Sequence, residues 1–343
     1  MATLHGKVGA VYLGQAYTVH CDIASSSITV PHNSDIDFDA DDNFTLEMWA
    51  HINATGDRGE PLLIKEASNG YSLATATGGK LQWLTTDSPD DNSWSTTTTF
   101  ASDTLHHVVI VRNASTRSDY IYVDGEKDVV FAYTYNAQDL RNTSDLYIVG
   151  FTNASLYLHQ LRIFRTAVTD AHVSDMFKGK KVARDNCVLD LRCGNGRGTT
   201  IYDLSGTAHD GTLANVSMWD TSHASSDVLV CALGFYNWSL SYEADDHDCT
   251  EFGGAVASVP YPKEFIPGLT NWTVTAERYW KSPDYAYRVG NEVFVRLYWD
   301  ESSENRYEGW GIITGVSVNT PVDDLVTETI SIRGKKNLAV VTS

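Results

Sequence analysis

Positive charge is scarce in this chain. Its 343 residues include 25 Lys and Arg against 44 Asp and Glu, which gives a formal net charge of −19. Proteins that hold nucleic acid through its phosphates need Lys and Arg to displace counterions, so the composition excludes that mode of binding. A surface of this sign still lets DNA slide past without adhering, because carboxylates repel phosphates.

Long apolar runs are missing as well. The segment Met1–His20 lacks the basic start and the apolar block of a signal peptide. No run approaches the roughly 18 apolar residues that are needed to cross a membrane. We therefore expect a soluble protein that is made in the cytoplasm.

Cysteine spacing gives no sign of a disulfide framework or of a thiolate metal site. The five cysteines form an odd set without Cys-x-x-Cys spacing: Cys21, Cys187, Cys193, Cys231 and Cys249. A chain of this size without a secretory signal does not predict structural disulfides. Cys187 and Cys193 could meet across a hairpin, but the pattern favours buried free thiols.

Helical periodicity is nearly absent, and short alternating segments take its place. Asn43–Ile52 alternates apolar residues on one face, and similar short runs follow it along the chain. Turn pairs such as Asp124-Gly125 separate several of them. Thr169–Phe177 is the one predicted helical turn, with Thr169 or Asp170 as its N-cap. The pattern predicts an all-β protein with a β-sandwich or jelly roll, and the length indicates two domains.

Particular sequence motifs in the middle of the chain are more specific than this alternation. They are Phe44-Thr-Leu-Glu-Met-Trp-Ala, His106-His-Val-Val-Ile-Val-Arg, Tyr120-Ile-Tyr-Val-Asp-Gly and Leu161-Arg-Ile-Phe-Arg-Thr-Ala-Val. Together they resemble laminin-G-like, concanavalin-A-like sandwich modules, over roughly residues 23–220. Val188-Leu-Asp-Leu-Arg and the segment from Ile201 to Leu213 look like a further phrase of that family. The resemblance implies a jelly-roll sandwich.

The two ends of the chain carry a second resemblance. His5-Gly-Lys-Val-Gly-Ala-Val-Tyr-Leu-Gly14 looks like a first hairpin, Phe265-Ile-Pro-Gly-Leu269 like a short turn before the strand that bears Trp272, and Val316-Ser-Val-Asn-Thr-Pro-Val-Asp-Asp324 like a late hairpin. This combination resembles the major tail tube proteins of long-tailed, siphovirus-like viruses. It implies a discontinuous tail tube domain, residues 1–21 and 224–343. The inserted laminin-G-like decoration domain is then residues 22–223.

The second resemblance also implies an assembly. Its fold would be a tail-tube-type antiparallel β-barrel or sandwich, and six copies would close a homohexameric ring. Rings would stack into a tube that conducts viral DNA without binding it specifically and that meets other tail proteins at its ends. The protein would then lie in the tail of the virion after synthesis in the host cytoplasm.

Assembly roles are predicted for a set of residues in the two terminal segments. In this hypothesis they pack against the barrel or a neighbouring subunit, and the last four form a hairpin that is presented to the next subunit. The residues are Phe252, Val256, Phe265, Leu269, Trp272, Val322, Asp323, Asp324 and Leu325.

Candidate binding chemistry lies in the inserted sandwich. Trp83, Trp94 and Tyr133 are candidates for stacking on sugar rings, although core or rim positions are the commoner role of such residues. The acidic stretch Asp35–Asp42 raises the prospect of calcium, but it lacks the Gly and Glu of an EF-hand loop and favours a solvated acidic turn. The histidine pairs fit no zinc spacing. No metal site and no other cofactor are predicted.

No catalytic residues are predicted either. Glucanases of the concanavalin-like fold share a Glu-x-Asp-x-x-Glu strand motif, and residues 23–220 contain none. Two functions from different classes remain. The first is the structural tail tube subunit, whose outward sandwich also offers a surface for glycans of the host. The alternative is a carbohydrate-binding module of a secreted or cell-surface adhesin.

Overall fold

The computed structural model describes residues 11–342 except 16, 24, 55–58, 88–90, 101–103, 133–137, 152–153, 180–185, 195, 224, 226–227, 232–234, 249–264, 280–288, 301–304, 322–325 and 336. Contacts divide the chain into two compact units. The larger unit runs from Gly14 to Cys231, and the smaller unit takes residues before it and most of those after it. The inserted domain predicted from the sequence has its limits at residues 22 and 223.

Strands form nearly all of the regular secondary structure in the described residues. Strands β1 to β10 are Val11–Gln15, Thr18–Cys21, Ile28–Val30, Phe44–Asn53, Pro61–Glu66, Asn69–Ala76, Lys80–Asp87, Asn92–Ser95, Thr104–Asn113 and Ser118–Val123. Strands β11 to β17 are Glu126–Ala132, Leu146–Ile148, Ser155–Phe164, Cys187–Arg192, Thr200–Ile201, Gly211–Leu213 and Trp219–Asp220, with helix α1, Asp170–Phe177, between β13 and β14. Strands β18 to β24 are Leu229–Cys231, Phe235–Asp248, Phe265–Tyr279, Glu292–Asp300, Asn305–Asn319, Thr327–Gly334 and Ala339–Val341.

The larger unit is a sandwich of two antiparallel sheets. Sheet A has the order β11-β10-β9-β4-β13-β2-β17, with β14 paired to β13. Sheet B has the order β15-β16-β3-β12-β5-β6-β7-β8. Strand β2, which the sequence assigned to the terminal domain, pairs with β13 and β17 inside sheet A. The jelly-roll sandwich predicted for the middle of the chain is therefore confirmed.

Local sequence explains how these sheets form. In β4 the alternate residues Phe44, Leu46, Met48 and Ala50 are at most 1% exposed and face the core between the sheets, as predicted. Strands β10 and β11 are joined through Asp124 and Gly125, both with positive φ (51° and 81°), which is the backbone of a tight two-residue hairpin.

The core of the sandwich contains a buried polar network as well as apolar side chains. Arg112 and Asp119 form a two-contact ion pair, with Nε to Oδ1 at 3.1 Å and Nη2 to Oδ2 at 3.3 Å. The indole of Trp83 donates to Asp119 Oδ2 at 3.2 Å. Because each charged group in this network has a partner, its burial does not carry the cost of an isolated charge.

The outer face of sheet A is covered. Thr169 caps helix α1 by accepting a hydrogen bond from the backbone N–H of His172, which confirms one of the two predicted N-caps. Val173 of the helix packs on Val109, Val111 and Tyr122 of sheet A. The part of this face on β9 and β10 is therefore a second buried layer.

The smaller unit is built on a single sheet in the described residues. Its order is β1-β21-β22-β23-β20-β19, with β24 paired to β22. The order runs from one side to the other without closing, so the predicted barrel is not seen there. The turn predicted at Phe265–Leu269 is wrong as well. These residues begin strand β20 and pair with β19 as far as Asp248.

Trp272 lies in the core of the smaller unit. It is 2% exposed and belongs to the apolar cluster of that sheet, where glycines make room for its ring. A Cβ atom added at Gly334 would lie 2.4 Å from the indole, and one added at Gly311 would lie 3.1 Å from it. The ring is therefore buried in its own unit rather than presented to a neighbouring subunit.

Three further findings bear on the sequence predictions. Cys21, Cys187 and Cys193 are buried free thiols, as expected. Within the described residues, no helix has the length and apolarity of a membrane span. No cluster of three or more His, Cys, Asp or Glu is arranged to hold a metal ion in the part of the chain that the structure describes.

We predict that Gly334→Ala destabilises the protein by about 1–3 kcal/mol, because the added methyl group overpacks against the Trp272 ring. Gly315→Ala is the matched control, since its nearest neighbour would be a Ser331 side-chain atom at 3.7 Å. Urea unfolding of the full chain, followed by tryptophan fluorescence, measures both. Equal midpoints for the two variants would contradict the packing argument.

Candidate functional site

The outer face of sheet B presents a continuous row of side chains, one from each strand. The register pairs Thr200 with Thr212, Thr212 with Thr29, and Thr29 with Tyr147. It continues from Tyr147 to Ile64, Ser72, Leu84 and Ser93. We call these eight residues the outer row. Five of the eight are hydroxyl-bearing Ser or Thr, and the one aromatic residue stands in the middle.

Strand alternation places the outer row on the side away from the core. In β12 the flanking residues Leu146 and Ile148 are fully buried, whereas Tyr147 between them is 37% exposed. Thr212 and Ser93, near the two ends of the row, are exposed as well. A half-exposed tyrosine ring among hydroxyl groups is therefore the central feature of this face.

Carboxylates flank the outer row on one side of Tyr147. Glu66 lies two residues beyond Ile64, within hydrogen-bond reach of the Ser72 and Thr86 hydroxyls. Burial and the neighbouring Asp91 raise the pKa of Glu66 above its usual range. Asp145 lies close to the ring, with Oδ2 at 3.5 Å from the Tyr147 hydroxyl, and its Oδ1 accepts from the backbone N–H of His32 at 2.8 Å.

This arrangement has the chemistry of a site for a polyhydroxylated ligand. The Tyr147 ring offers an apolar face, and its hydroxyl and those of the outer row both donate and accept hydrogen bonds. The carboxylates of Glu66 and Asp145 accept hydrogen bonds, and bonds to charged acceptors are the stronger ones.

The acidic stretch Asp35–Asp42 lies elsewhere and has cationic partners from the protein itself. Lys65 Nζ contacts Asp37 Oδ1 at 3.2 Å, and Arg165 Nη2 contacts Asp42 Oδ2 at 2.6 Å. His209 Nε2 lies 2.8 Å from Asp35 Oδ2. These carboxylates are therefore engaged by side chains, which fits a structural role for the stretch. Calcium in the sandwich stays an alternative to the prediction that no cofactor is bound.

The three aromatic residues chosen from the sequence have different positions. Trp83 is fully buried, so its ring has no face to offer to a sugar. Trp94 lies opposite Trp83 on β8, partly buried, and stacks on Phe131 with ring centroids 5.0 Å apart. Tyr133 lies outside the described residues. Neither Trp83 nor Trp94 belongs to the outer row at Tyr147.

The residues chosen for assembly lie only in part within the described residues. Phe252, Val256 and Val322–Leu325 lie outside the described residues. Phe265 and Leu269 are strand residues of β20, and Trp272 is in the core. Sequence reasoning missed Tyr147 and Glu66. The alternation Leu146, Tyr147, Ile148 was the available signal for an outward tyrosine.

Comparison with known proteins supports a lectin-type fold for the sandwich. Residues 22–174 match the family model of the concanavalin A-like lectin/glucanases superfamily. No curated protein matches the chain closely enough to count as a relative.

The many solved structures that are similar to this chain include three binding proteins or binding domains. A putative carbohydrate binding protein from Bacteroides ovatus has 17% identity and a TM-score of 0.46, and the match covers 63% of this chain and 61% of that one. The binding domain of Paraclostridial Mosquitocidal Protein 1 has 14% identity and a TM-score of 0.42, over 92% and 82% of the two chains. The ligand binding domain of Botulinum neurotoxin serotype D, in complex with N-acetylneuraminic acid, has 11% identity and a TM-score of 0.41, over 96% and 88%.

The interpretation of the chain ends as a tail tube domain is wrong. The family model that matches is of lectin type, and Phe265–Leu269, the turn of that resemblance, lies in strand β20. The homohexameric ring and the DNA-conducting tube have no support without that resemblance. The concanavalin-A-like sandwich, in contrast, is confirmed. Of the two functions considered, the findings favour the carbohydrate-binding alternative.

We predict that Lys65→Met destabilises the protein by about 3 kcal/mol. The Lys65 ammonium is buried and also donates to Asn142, to its carbonyl oxygen at 3.2 Å and to Oδ1 at 3.1 Å. Its loss leaves Asp37 with an uncompensated charge in a partly buried position. Lys80→Met, at the start of β7, is the control. The urea unfolding midpoints of the full-length variants measure the stability of both. A Lys65→Met variant with an unchanged midpoint would show that the ion pair does not stabilise the fold.

Proposed function

We propose that the sandwich binds carbohydrate on the outer face of sheet B. The observation that carries the proposal is the outer row, in which the exposed Tyr147 stands among four exposed or partly exposed Ser and Thr residues beside the carboxylates of Glu66 and Asp145. The lectin-type description of the family model that matches residues 22–174 supports it.

Each part of the site has a role in this proposal. A sugar ring stacks its C–H face on the Tyr147 ring, because aromatic side chains provide an apolar surface at low conformational cost. Sugar hydroxyls donate to Glu66 and Asp145 and exchange hydrogen bonds with Thr29 and Thr212. Strands on a packed core hold these groups in place, so little ordering entropy opposes binding.

The charge of the face restricts the class of carbohydrate. Glu66, Asp91 and Asp145 lie on one side of Tyr147, and the whole chain carries a net charge of −19. Carboxylates or sulfates on a ligand would be repelled there. The site therefore takes neutral sugars or amino sugars rather than uronic, sialic or sulfated ones.

The proposed activity is binding without hydrolysis. The Glu-x-Asp-x-x-Glu strand motif of concanavalin-like glucanases is missing from residues 23–220. In our proposal Glu66 and Asp145 act as hydrogen-bond acceptors, and neither serves as a general acid. Prolonged incubation with a bound oligosaccharide should release no new reducing ends.

We expect Tyr147→Ala to lower the affinity for a neutral oligosaccharide at least tenfold, since it removes the stacking surface. Tyr147→Phe keeps the ring and should retain most of the affinity. Tyr242→Ala is the matched control, because Tyr242 is an exposed tyrosine (55%) of the smaller unit. A glycan array selects the ligand, and titration calorimetry measures the three variants.

Two outcomes would overturn the proposal. One is an array with neutral, amino and anionic glycans that stays blank with the full chain. The other is a Tyr147→Ala variant that binds as tightly as the unaltered protein while circular dichroism shows an intact fold. Preference for anionic glycans would leave binding intact but refute the charge argument.

A further inference from the structure

Two carboxylates beside the exposed tyrosine of sheet B face each other across neighbouring strands. The register of β12 and β5 pairs Tyr147 with Ile64. Continued by two residues, it places Asp145 opposite Glu66. The Ser144 hydroxyl donates to the Glu66 carbonyl oxygen at 3.0 Å, which agrees with this placement. Residues directly opposite each other on neighbouring strands interact, and like charges in such a pair repel.

A third carboxylate lies on the other side of Glu66. The register of β7 and β8 pairs Thr85 with Asn92, so Asp91 comes opposite Thr86. The Thr86 hydroxyl bonds to Glu66, and the Asp91 charge acts on the same carboxyl group. Three negative groups therefore share the part of the outer face that adjoins Tyr147.

Cationic side chains of the protein do not pair with these three groups. In the part of the chain that the structure describes, Glu66, Asp91 and Asp145 form no ion pair with Lys, Arg or His. The acidic stretch Asp35–Asp42, in contrast, is engaged by cations at several points. The negative charge beside Tyr147 is therefore not compensated by a neighbouring side chain.

Lys65 acts on this charge from inside the sandwich without pairing with it. The charge of Asp145 favours the protonated form of Lys65. The Lys65 ammonium, however, bonds to Asp37 Oδ1 at 3.2 Å and to Asn142, and it lies 3.5 Å from His32 Nδ1. A buried ammonium with these partners leaves the outward side of Asp145 as a charged acceptor.

Tyr147 adds an aromatic surface to the carboxylates. Its ring is 37% exposed, so it offers a face to the C–H groups of a sugar and to a nearby cation. Within the described residues, no group of three or more His, Cys, Asp or Glu is arranged to hold a metal ion. Carboxylates beside an exposed ring have the chemistry to bind an ammonium group that is attached to a sugar.

We infer that the ligand of this face is a carbohydrate whose sugar units carry protonated amino groups, such as an oligomer of glucosamine. The inference rests on the proposed function, because it assigns a ligand class to the same site. A sugar ring on Tyr147 directs its ammonium group towards Asp145 and Glu66. The ammonium relieves the repulsion between the two carboxylates, and its hydrogen bonds to them are charge-assisted.

Acetylation of the amino groups separates the two parts of this site. An N-acetylated oligomer keeps the apolar ring faces that stack on Tyr147. It carries no charge, and each nitrogen keeps a single N–H donor. The affinity that both forms share therefore reports the aromatic surface, and the ratio of their affinities reports the carboxylates.

The test is titration calorimetry of the full chain at pH 6, with a glucosamine oligomer and its N-acetylated counterpart of equal length. Carboxylates are ionised and the amines are protonated at this pH. We expect the amino form to bind at least tenfold more tightly at low salt. The ratio should fall at about 0.5 M sodium chloride, because salt screens exposed charges.

Variants assign the preference to particular groups. Asp145→Asn and Glu66→Gln keep the shape and an acceptor oxygen, and each should lower the preference for the amino form at least threefold without weakening the acetylated form. Tyr147→Ala should weaken both forms by a similar factor. Glu126→Gln, at an exposed position of β11 in sheet A, removes the same charge elsewhere and is the control.

The possible failures are distinguishable. Equal affinity for the two oligomers would overturn the inference and leave carbohydrate binding intact. A preference that persists in both Asp145→Asn and Glu66→Gln, or that falls equally in Glu126→Gln, would overturn it by tracing the effect to the overall charge of −19. A lysine oligomer of equal charge that binds as tightly would do the same. Failure of both oligomers to bind overturns the inference, and the proposed function fails with it only when neutral glycans also stay unbound.

Discussion

Sheet A is largely buried on both of its faces, and this constraint decides what the rest of the sandwich can do. One face packs on sheet B through the alternating apolar residues of β4, and the other is covered by helix α1 and by the segment that ends at His223. A sheet in that position has little surface for a ligand beyond its edge strand β11, where Val130 is 51% exposed. The outer face of sheet B therefore carries the exposed hydroxyl and aromatic groups of this unit.

Burial of the second face also explains the polar character of the layer beneath α1. Glu47 has no exposure, and burial alone would raise its pKa, but Arg162 and His107 outweigh burial and hold the pKa at about 2. A charged group of this kind is tolerated because its partner is fixed by the same strands.

Local features of the fold could be predicted from the sequence. The period-2 pattern of β4, the Asp124-Gly125 turn and the cap at Thr169 each depend on residues close together in the chain, and each is present as expected. The concanavalin-like motifs extend over whole strands and include the alternation of apolar and polar residues. The resemblance that they indicated is confirmed. The tail tube phrases are short turn-like runs, and one of them, Phe265–Leu269, is strand in the structure.

The candidate site could not be predicted in the same way, because it depends on the register between strands far apart in sequence. Trp83 and Tyr147 are both aromatic residues of short strands, yet one faces Asp119 in the core and the other faces solvent. Lys65 has the spacing of a core residue on β5, and its partners Asp37 and Asn142 lie 28 and 77 residues away. Only the assembled sheet shows which of these polar groups are satisfied internally.

The outer row has a length as well as a chemistry. It crosses all eight strands of sheet B, and neighbouring strands lie about 4.8 Å apart, so the row extends for roughly 34 Å. A linear polymer laid perpendicular to the strands would meet a new side chain at each of them. Contact area would then grow with the number of linked units, and extended chains would be retained longer on this surface than single monomers.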